Sequence, residues 1–228
     1  MPESKLKRKT TIIFIYKITI MSVFSILLIS CGEKGGADLC YYRDTLELLK
    51  KDFLADHNNI NEENLNKFEK YAKKVNDKEY LFYNHFFNGE YFRRSKKELV
   101  TALRCYIKAK NIDSTYSNKL QILYLKLGLT WSWLGDYAKS NYYYFKGLDV
   151  SKSSDSLSNS RNILKYYGNI GNNYKFMKET EKAEYYYNLS YSLCKEKNYI
   201  NLTYYALNNM IALYIDKDEY SKVDSLLK

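Results

Sequence analysis

Two stretches of this chain repeat one another in register. The first runs Tyr124, Leu127-Gly128, Trp131, Gly135-Asp136-Tyr137, Ser140, Tyr144 and Gly147. The second runs Tyr167, Ile170-Gly171, Tyr174, Ala183, Tyr187 and Ser190, with the same gap from Gly171 to Ala183 as from Gly128 to Ser140. A third copy, Leu207, Met210-Ile211, Tyr214, Tyr220, Val223 and Leu227, keeps the spacing with Ile211 in the glycine position. Upstream, Ala102, Tyr106 and Ala109 match the second half of the unit, while its first half, Tyr80 to Arg94, fits only with a turn about two residues longer. Self-similarity at such a period constrains the fold strongly: one unit cannot bury its apolar face alone and must stack on its neighbours.

The residues within the unit say what is stacked. Gly128 and Gly171 interrupt stretches of otherwise helical periodicity, where glycine costs about 1 kcal/mol relative to alanine. A glycine recurring at one register predicts a neighbour too close for a side chain. Ser140, Ala183, Gly147 and Ser190 face that contact, and Trp131, Tyr174, Tyr144 and Tyr187 fill the space around it. Short turns are predicted at Gly135-Asp136 and Lys178-Glu179. Polar connections at Asn111–Ser114, Ser151–Ser156 and Lys195–Asn198 offer residues suited to N-capping the next helix. Residues 40–79 lack the signature but carry two apolar stripes, Leu46, Leu49, Phe53, Leu54 and Leu65, Phe68, Tyr71, Ala72, Val75, separated by His57-Asn58-Asn59. The expectation is an all-α chain of about five helical hairpins, the first of them capping the array.

The pattern of a bulky residue, Leu-Gly, an aromatic, Gly-x-Tyr and then small-x3-aromatic-x2-small resembles the tetratricopeptide repeat (TPR) over residues 80–228. The periods here are 43 and 40 residues, read from Gly128 to Gly171 and on to Ile211, against about 34 for the standard unit. The resemblance implies a TPR-like superhelix whose first helices line a concave groove. It places Leu125, Leu129, Ser132 and Trp133 there in one unit. Lys165, Gly168, Asn172, Lys175 and Phe176 follow in the next, and Tyr205, Asn208, Ala212 and Asp216 in the third. In the TPR carboxylate clamp, asparagines and basic residues hold a peptide C-terminus; Asn172 and Asn209 match two of its positions, and Gly168 stands where a lysine is expected. Asparagines there also serve to bridge adjacent helices. The partner-binding candidates are therefore Trp133, Lys165, Asn172, Lys175, Phe176, Tyr205, Asn208 and Asn209. In the last copy the second helix begins near Asp218 and has only about three turns before Lys228, so the array reads as incomplete.

The N-terminus reads as an export signal. Lys5, Lys7, Arg8, Lys9 and Lys17 precede an apolar run from Ile18 to Ile29, shorter than the roughly 20 residues a bilayer-spanning helix needs. Leu28-Ile29-Ser30-Cys31-Gly32 resembles the bacterial lipobox, which implies cleavage after residue 30, diacylglycerol on the Cys31 thiol, and a lipid-anchored protein of the cell envelope. Gly32 after the cysteine points to the outer membrane. The competing reading is a one-pass anchor that is never cleaved. Residues 31–39, polar and rich in glycine, have the composition of a flexible tether. Of the net charge of +10, the signal carries five positives and one negative, leaving about +6, mixed along the chain without the dense basic stripe of a nucleic-acid binder.

Catalytic constellations are scarce. His57 and His85 have no Cys, Asp or Glu at metal-ligand spacing, and Gly168-x2-Gly171 has no preceding strand to make it a phosphate loop. Cys40, Cys105 and Cys194 are too far apart for a framework and odd in number. No catalytic residue, metal, cofactor or small-molecule substrate is expected. The function expected is a lipid-anchored scaffold holding a peptide or protein partner. The alternative is a piece of a TPR sensor-regulator whose transmembrane and DNA-binding or kinase part lies elsewhere.

Overall fold

The computed structural model describes the backbone of residues 34–112, 117–152 and 157–227. The export signal, Cys31 and Gly32 lie outside the described residues, as do parts of the connections at Asn111–Ser114 and Ser151–Ser156. The described residues form ten α-helices and no strand, in two compact units, one through Tyr80 and one from Leu81 onward.

The first unit is the hairpin read from residues 40–79. Helices α1 (Lys34–Ala55) and α2 (Glu62–Val75) are joined through a 3-10 turn at His57–Asn59. Leu46, Phe53, Ile60, Leu65, Phe68, Ala72 and Tyr80 are buried in it, with the Phe53 and Phe68 rings 6.0 Å apart. Leu54 does not join that stripe; one helical step beyond Phe53, it points to solvent. Asn61 caps α2 by accepting from the Asn64 amide at 2.9 Å. Helix α1 starts inside the segment read as a tether. Gly35 and Gly36 extend a helix nucleated by the residues after them, and propagation costs far less than nucleation. The Tyr80 hydroxyl, donating to Glu47 at 2.8 Å, ties the start of α3 (Lys78–Tyr91) to α1.

The second unit is the repeat array. After α3 come α4 (Leu99–Ile112), α5 (Ser117–Trp133), α6 (Tyr137–Lys152), α7 (Leu157–Phe176), α8 (Thr180–Glu196), α9 (Ile200–Asp216) and α10 (Tyr220–Leu226). From α5 to α10 each helix packs on the next, and α7 also touches α5 and α9, so the first helices of successive hairpins form one layer. This pattern of neighbour contacts is a helical-hairpin solenoid. Its turns repeat as the sequence does. Gly135, Lys178 and Asp218 all have positive φ, at 80°, 61° and 56°. In each turn the following amide reaches back to the carbonyl of Trp131, Tyr174 or Tyr214, a left-handed helix end of the Schellman kind. The turn at Lys195–Asn198 uses the same device: Asn198 takes the left-handed position, and Tyr199 starts α9 with no side-chain cap. The N-capping role expected of that connection is therefore replaced by a helix-ending one.

The close contact predicted at the glycines is present, and a tyrosine ring makes it. A Cβ on Gly128 would overlap Tyr144, and one on Gly171 would overlap Tyr187. Gly89 stands in the same relation to Tyr106. The first repeat thus has its glycine, hidden in the sequence because Gly89 to Ala102 is one residue longer than Gly128 to Ser140. A π-helical turn at Phe92–Lys96, closed by Lys97 in the left-handed region, absorbs the extra residue. The insertion is one residue, where the sequence pointed to about two. Helix α10 has seven residues and none buried, against 17 in α8.

Candidate functional site

The hairpins are held together by polar contacts that sequence periodicity does not reveal. Asn173, fully buried on α7, accepts from the Ser132 hydroxyl at 2.8 Å and donates to Ser140 and Asn141 at 2.7 Å. Ser140 in turn donates to the Gly128 carbonyl at 2.8 Å. Asn162 donates to Gln121 at 2.9 Å, and the Tyr166 hydroxyl donates to the Gln121 carbonyl. Leu125, expected on the open groove, is buried with Tyr144, Leu148, Tyr166 and Ile170. Ser132 is likewise spent on the inter-hairpin network.

The predicted partner-binding residues divide accordingly. Asn172 accepts from the Tyr187 hydroxyl at 2.7 Å, so it joins α7 to α8. Lys175 pairs with Asp216 at 2.7 Å across α7 and α9, both partly solvated; such a pair contributes at most about 1 kcal/mol. Asn208 is exposed, while the Nδ2 of Asn209 is buried without a partner. Tyr205 lies exposed beside Gly168, its ring 3.7 Å from where a Cβ there would sit. Lys165 stands apart from these, in a cleft of about 610 Å³ with Arg161, Tyr199, Ile200 and Leu202. Trp133 and Phe176 hold the same position at the ends of α5 and α7. Both are open to solvent, 57% and 63% exposed. Phe176 stacks on Tyr137 with ring centroids 5.4 Å apart. Leu134 and Met177, the next residues of each unit, are exposed as well.

Trp133 stands over a feature that the sequence reading missed. Glu90, fully buried, accepts from Arg93 Nη2 at 2.9 Å and Nε at 3.2 Å, from Lys126 Nζ at 2.8 Å, and from the Tyr106 hydroxyl. Burial alone would raise the Glu90 carboxyl, but Lys126 and Arg93 outweigh it and hold the group down at about 2. Burial pushes Lys126 below its ordinary value, with Glu90 opposing the shift. The Arg93 guanidinium lies 5.1 Å from the Trp133 ring centroid, a cation–π geometry. Arg93, Arg94, Lys97, Leu99 and Trp133 line a cleft of about 500 Å³ at this turn. The available signal was Glu90 itself, a carboxylate amid the aromatics from Tyr80 to Phe92. Cys105 is half-buried and Cys194 buried, and burial raises both thiols.

Comparison of the sequence with protein families finds no match, and comparison with curated proteins finds none either. Solved structures do resemble it. A signal transduction ATPase with numerous domains from Pyrococcus horikoshii, carrying a tetratricopeptide repeat sensor, superposes with a TM-score of 0.67 at 18% identity, over 96% of this chain and 33% of that one. The apo form of RapI gives 0.65 at 19%, over 92% and 58%. BtubC (BKLC) from P. vanneervenii gives 0.61 at 12%, over 85% and 88%. The fold is a TPR-like solenoid. The chain spans about a third of the Pyrococcus ATPase and somewhat more than half of RapI, and at these identities the likeness is one of fold. Within it, Trp133 and Phe176 leave more than half of their surface open to solvent at equal positions of successive hairpins.

Proposed function

We propose that this protein is a lipid-anchored, non-catalytic TPR-like scaffold that holds a peptide or protein partner at the bacterial cell envelope, on the outer membrane. The carrying observation is the repeated exposure of Trp133-Leu134 and Phe176-Met177 at equal positions of successive hairpins. Large aromatics open to solvent in a row offer apolar area at low entropy cost, the character of binding hot spots. The anchor reading rests on the short apolar run and on Cys31-Gly32. Among the described residues no helix is long and apolar enough to cross a membrane.

Two experiments test this. Cys31→Ser should abolish fatty-acid labelling in cells; undiminished label in the variant would refute the anchor. Trp133→Ala with Phe176→Ala should remove partners crosslinked to the protein in intact cells while costing only the Arg93 and Tyr137 ring contacts, about 1–2 kcal/mol, so that the protein stays folded. Unaltered crosslinks would refute the binding surface. The second reading, the sensor part of a longer regulator, is favoured by one observation: the chain matches a third of an ATPase whose repeats are a sensor. An open reading frame continuing past Lys228 into an effector domain would decide for it.

A further inference from the structure

The cleft beneath Trp133 has a charge balance that specifies what fits it. Arg93 is 5% exposed, and its Nε and Nη2 are engaged by Glu90 and Tyr106. Nη1 takes no part in those bonds, on a side chain that lines the cleft. The single carboxylate of Glu90 is already divided between Arg93 and Lys126. Arg94 and Lys97, both exposed, add two further cations, and among the described residues no acidic one lines the cleft. The nearest acid in sequence, Glu98, accepts from the Thr101 hydroxyl at 3.2 Å. Leu99 and the open face of Trp133 supply apolar area beside the cations. Lys97 is held in the left-handed region by the π-helical turn, its amide group closing that turn onto Phe92. No corresponding cluster occurs at the Lys178 turn, where Lys182 pairs with Glu179. Nor do these residues coincide with the clamp positions Asn172 and Asn209, which lie on α7 and α9.

We propose that this cleft receives an acidic segment of a protein partner. A carboxylate is held by Arg93, Arg94 and Lys97, and an adjacent apolar side chain lies on Trp133 and Leu99. The carboxylate supplies the negative charge that Glu90 alone does not, and charge-assisted bonds to guanidinium are among the stronger ones available. The apolar wall favours a peptide over a bare oxyanion. This inference deepens the proposed partner-binding role and rests on it.

The chain has two tryptophans, Trp131 and Trp133, so Trp131→Phe leaves Trp133 as the only indole and as a reporter at the cleft. The full-length Trp131→Phe protein in detergent is titrated with a peptide library randomised among Glu, Asp, Leu, Phe and Gly. A matched library replaces the acids by Gln and Asn. The acidic library should shift Trp133 emission and bind about tenfold tighter than the amide library, with affinity falling as salt rises. Arg94→Glu with Lys97→Glu should abolish the preference; Arg94→Gln with Lys97→Gln, the milder change, should reduce it, circular dichroism confirming the fold in both. Equal binding of the two libraries would overturn the acidic-segment inference and leave partner binding at Trp133 standing. Binding of neither library would overturn both. A larger response to inorganic phosphate or to phosphatidylglycerol vesicles than to the acidic library would assign the cleft to phosphate chemistry and overturn the inference.

Discussion

Tyr106 in the first repeat and Tyr144 in the second make the same contact and live in different chemistry. Each is fully buried, and each lays its ring where a glycine of the preceding helix, Gly89 or Gly128, has no side chain. The residue after the glycine decides what the hydroxyl meets. In the first repeat it is Glu90, which takes the Tyr106 proton donor into a cluster with Arg93 and Lys126. In the second it is Leu129, and the Tyr144 hydroxyl is left buried without a partner. Ser140, the hydroxyl beside Tyr144, donates to the Gly128 carbonyl and accepts from Asn173. The third repeat, with Asn172, gives Tyr187 a neutral acceptor. The solenoid repeats its packing while each unit chooses its own polar solution at one position.

The largest effect expected from breaking this comparison is at Glu90. Glu90→Gln removes the only carboxylate of the cluster and leaves two buried cations facing each other, a change that costs about 3–5 kcal/mol. The pH dependence has a definite sign. The folded-state pKa of Glu90 is lowered from 4.5 to about 2. The stability it contributes is therefore complete above the unfolded value and lost as pH falls towards about 2. The gap between the urea midpoints of wild type and Glu90→Gln should accordingly be wide at pH 6 and shrink across that window. A gap independent of pH would show that Glu90 is not ionised in the folded protein.

Next in size is the glycine register. Gly171→Leu forces a side chain into the Tyr187 ring, and such overpacking costs about 1–3 kcal/mol. Lys178→Leu, at the exposed turn seven residues on, should be near neutral apart from the left-handed φ that Lys178 already tolerates. For a domain of this size each kcal/mol is about 2–4 °C of melting temperature. Equal melting temperatures for the two variants would mean that Gly171 is not a packing glycine.

What the sequence made legible follows from what repeats. Gly128 and Gly171 could be read as packing glycines because two copies agreed, and Trp133 and Phe176 as surface aromatics because the register located them. Gly89 was hidden by one inserted residue, which the backbone absorbs in a π-helical turn; a local defect in helical winding leaves no fixed mark in residue type. The Glu90 cluster was invisible for a different reason. Its cations, Arg93 and Lys126, come from different helices, and a lysine that pairs across hairpins has the same letter as one in solvent. Asn172 shows the converse: its residue type fitted a ligand clamp and a helix bridge alike, and only the structure shows the bridge, to the Tyr187 hydroxyl.

The smallest effect separates the second repeat from the third most cleanly. Tyr187→Phe removes the donor to Asn172 and leaves that half-buried amide oxygen without its bond, a loss of about 0.5–1.5 kcal/mol. Tyr144→Phe deletes a hydroxyl that has no partner to lose and is fully desolvated. Removing a buried polar group that was never satisfied relieves its desolvation cost, so this variant should be neutral or slightly more stable than wild type. The two substitutions are chemically identical and occupy the same register on the same kind of glycine. Any difference between them therefore reports Leu129 against Asn172 rather than packing. Leu129→Asn in the wild-type background then supplies the missing acceptor, and Tyr144→Phe should become destabilising once it is present. Thermal denaturation of the four proteins forms a double-mutant cycle. A coupling energy of zero between positions 129 and 144 would show that the residue after the glycine does not govern the tyrosine hydroxyl.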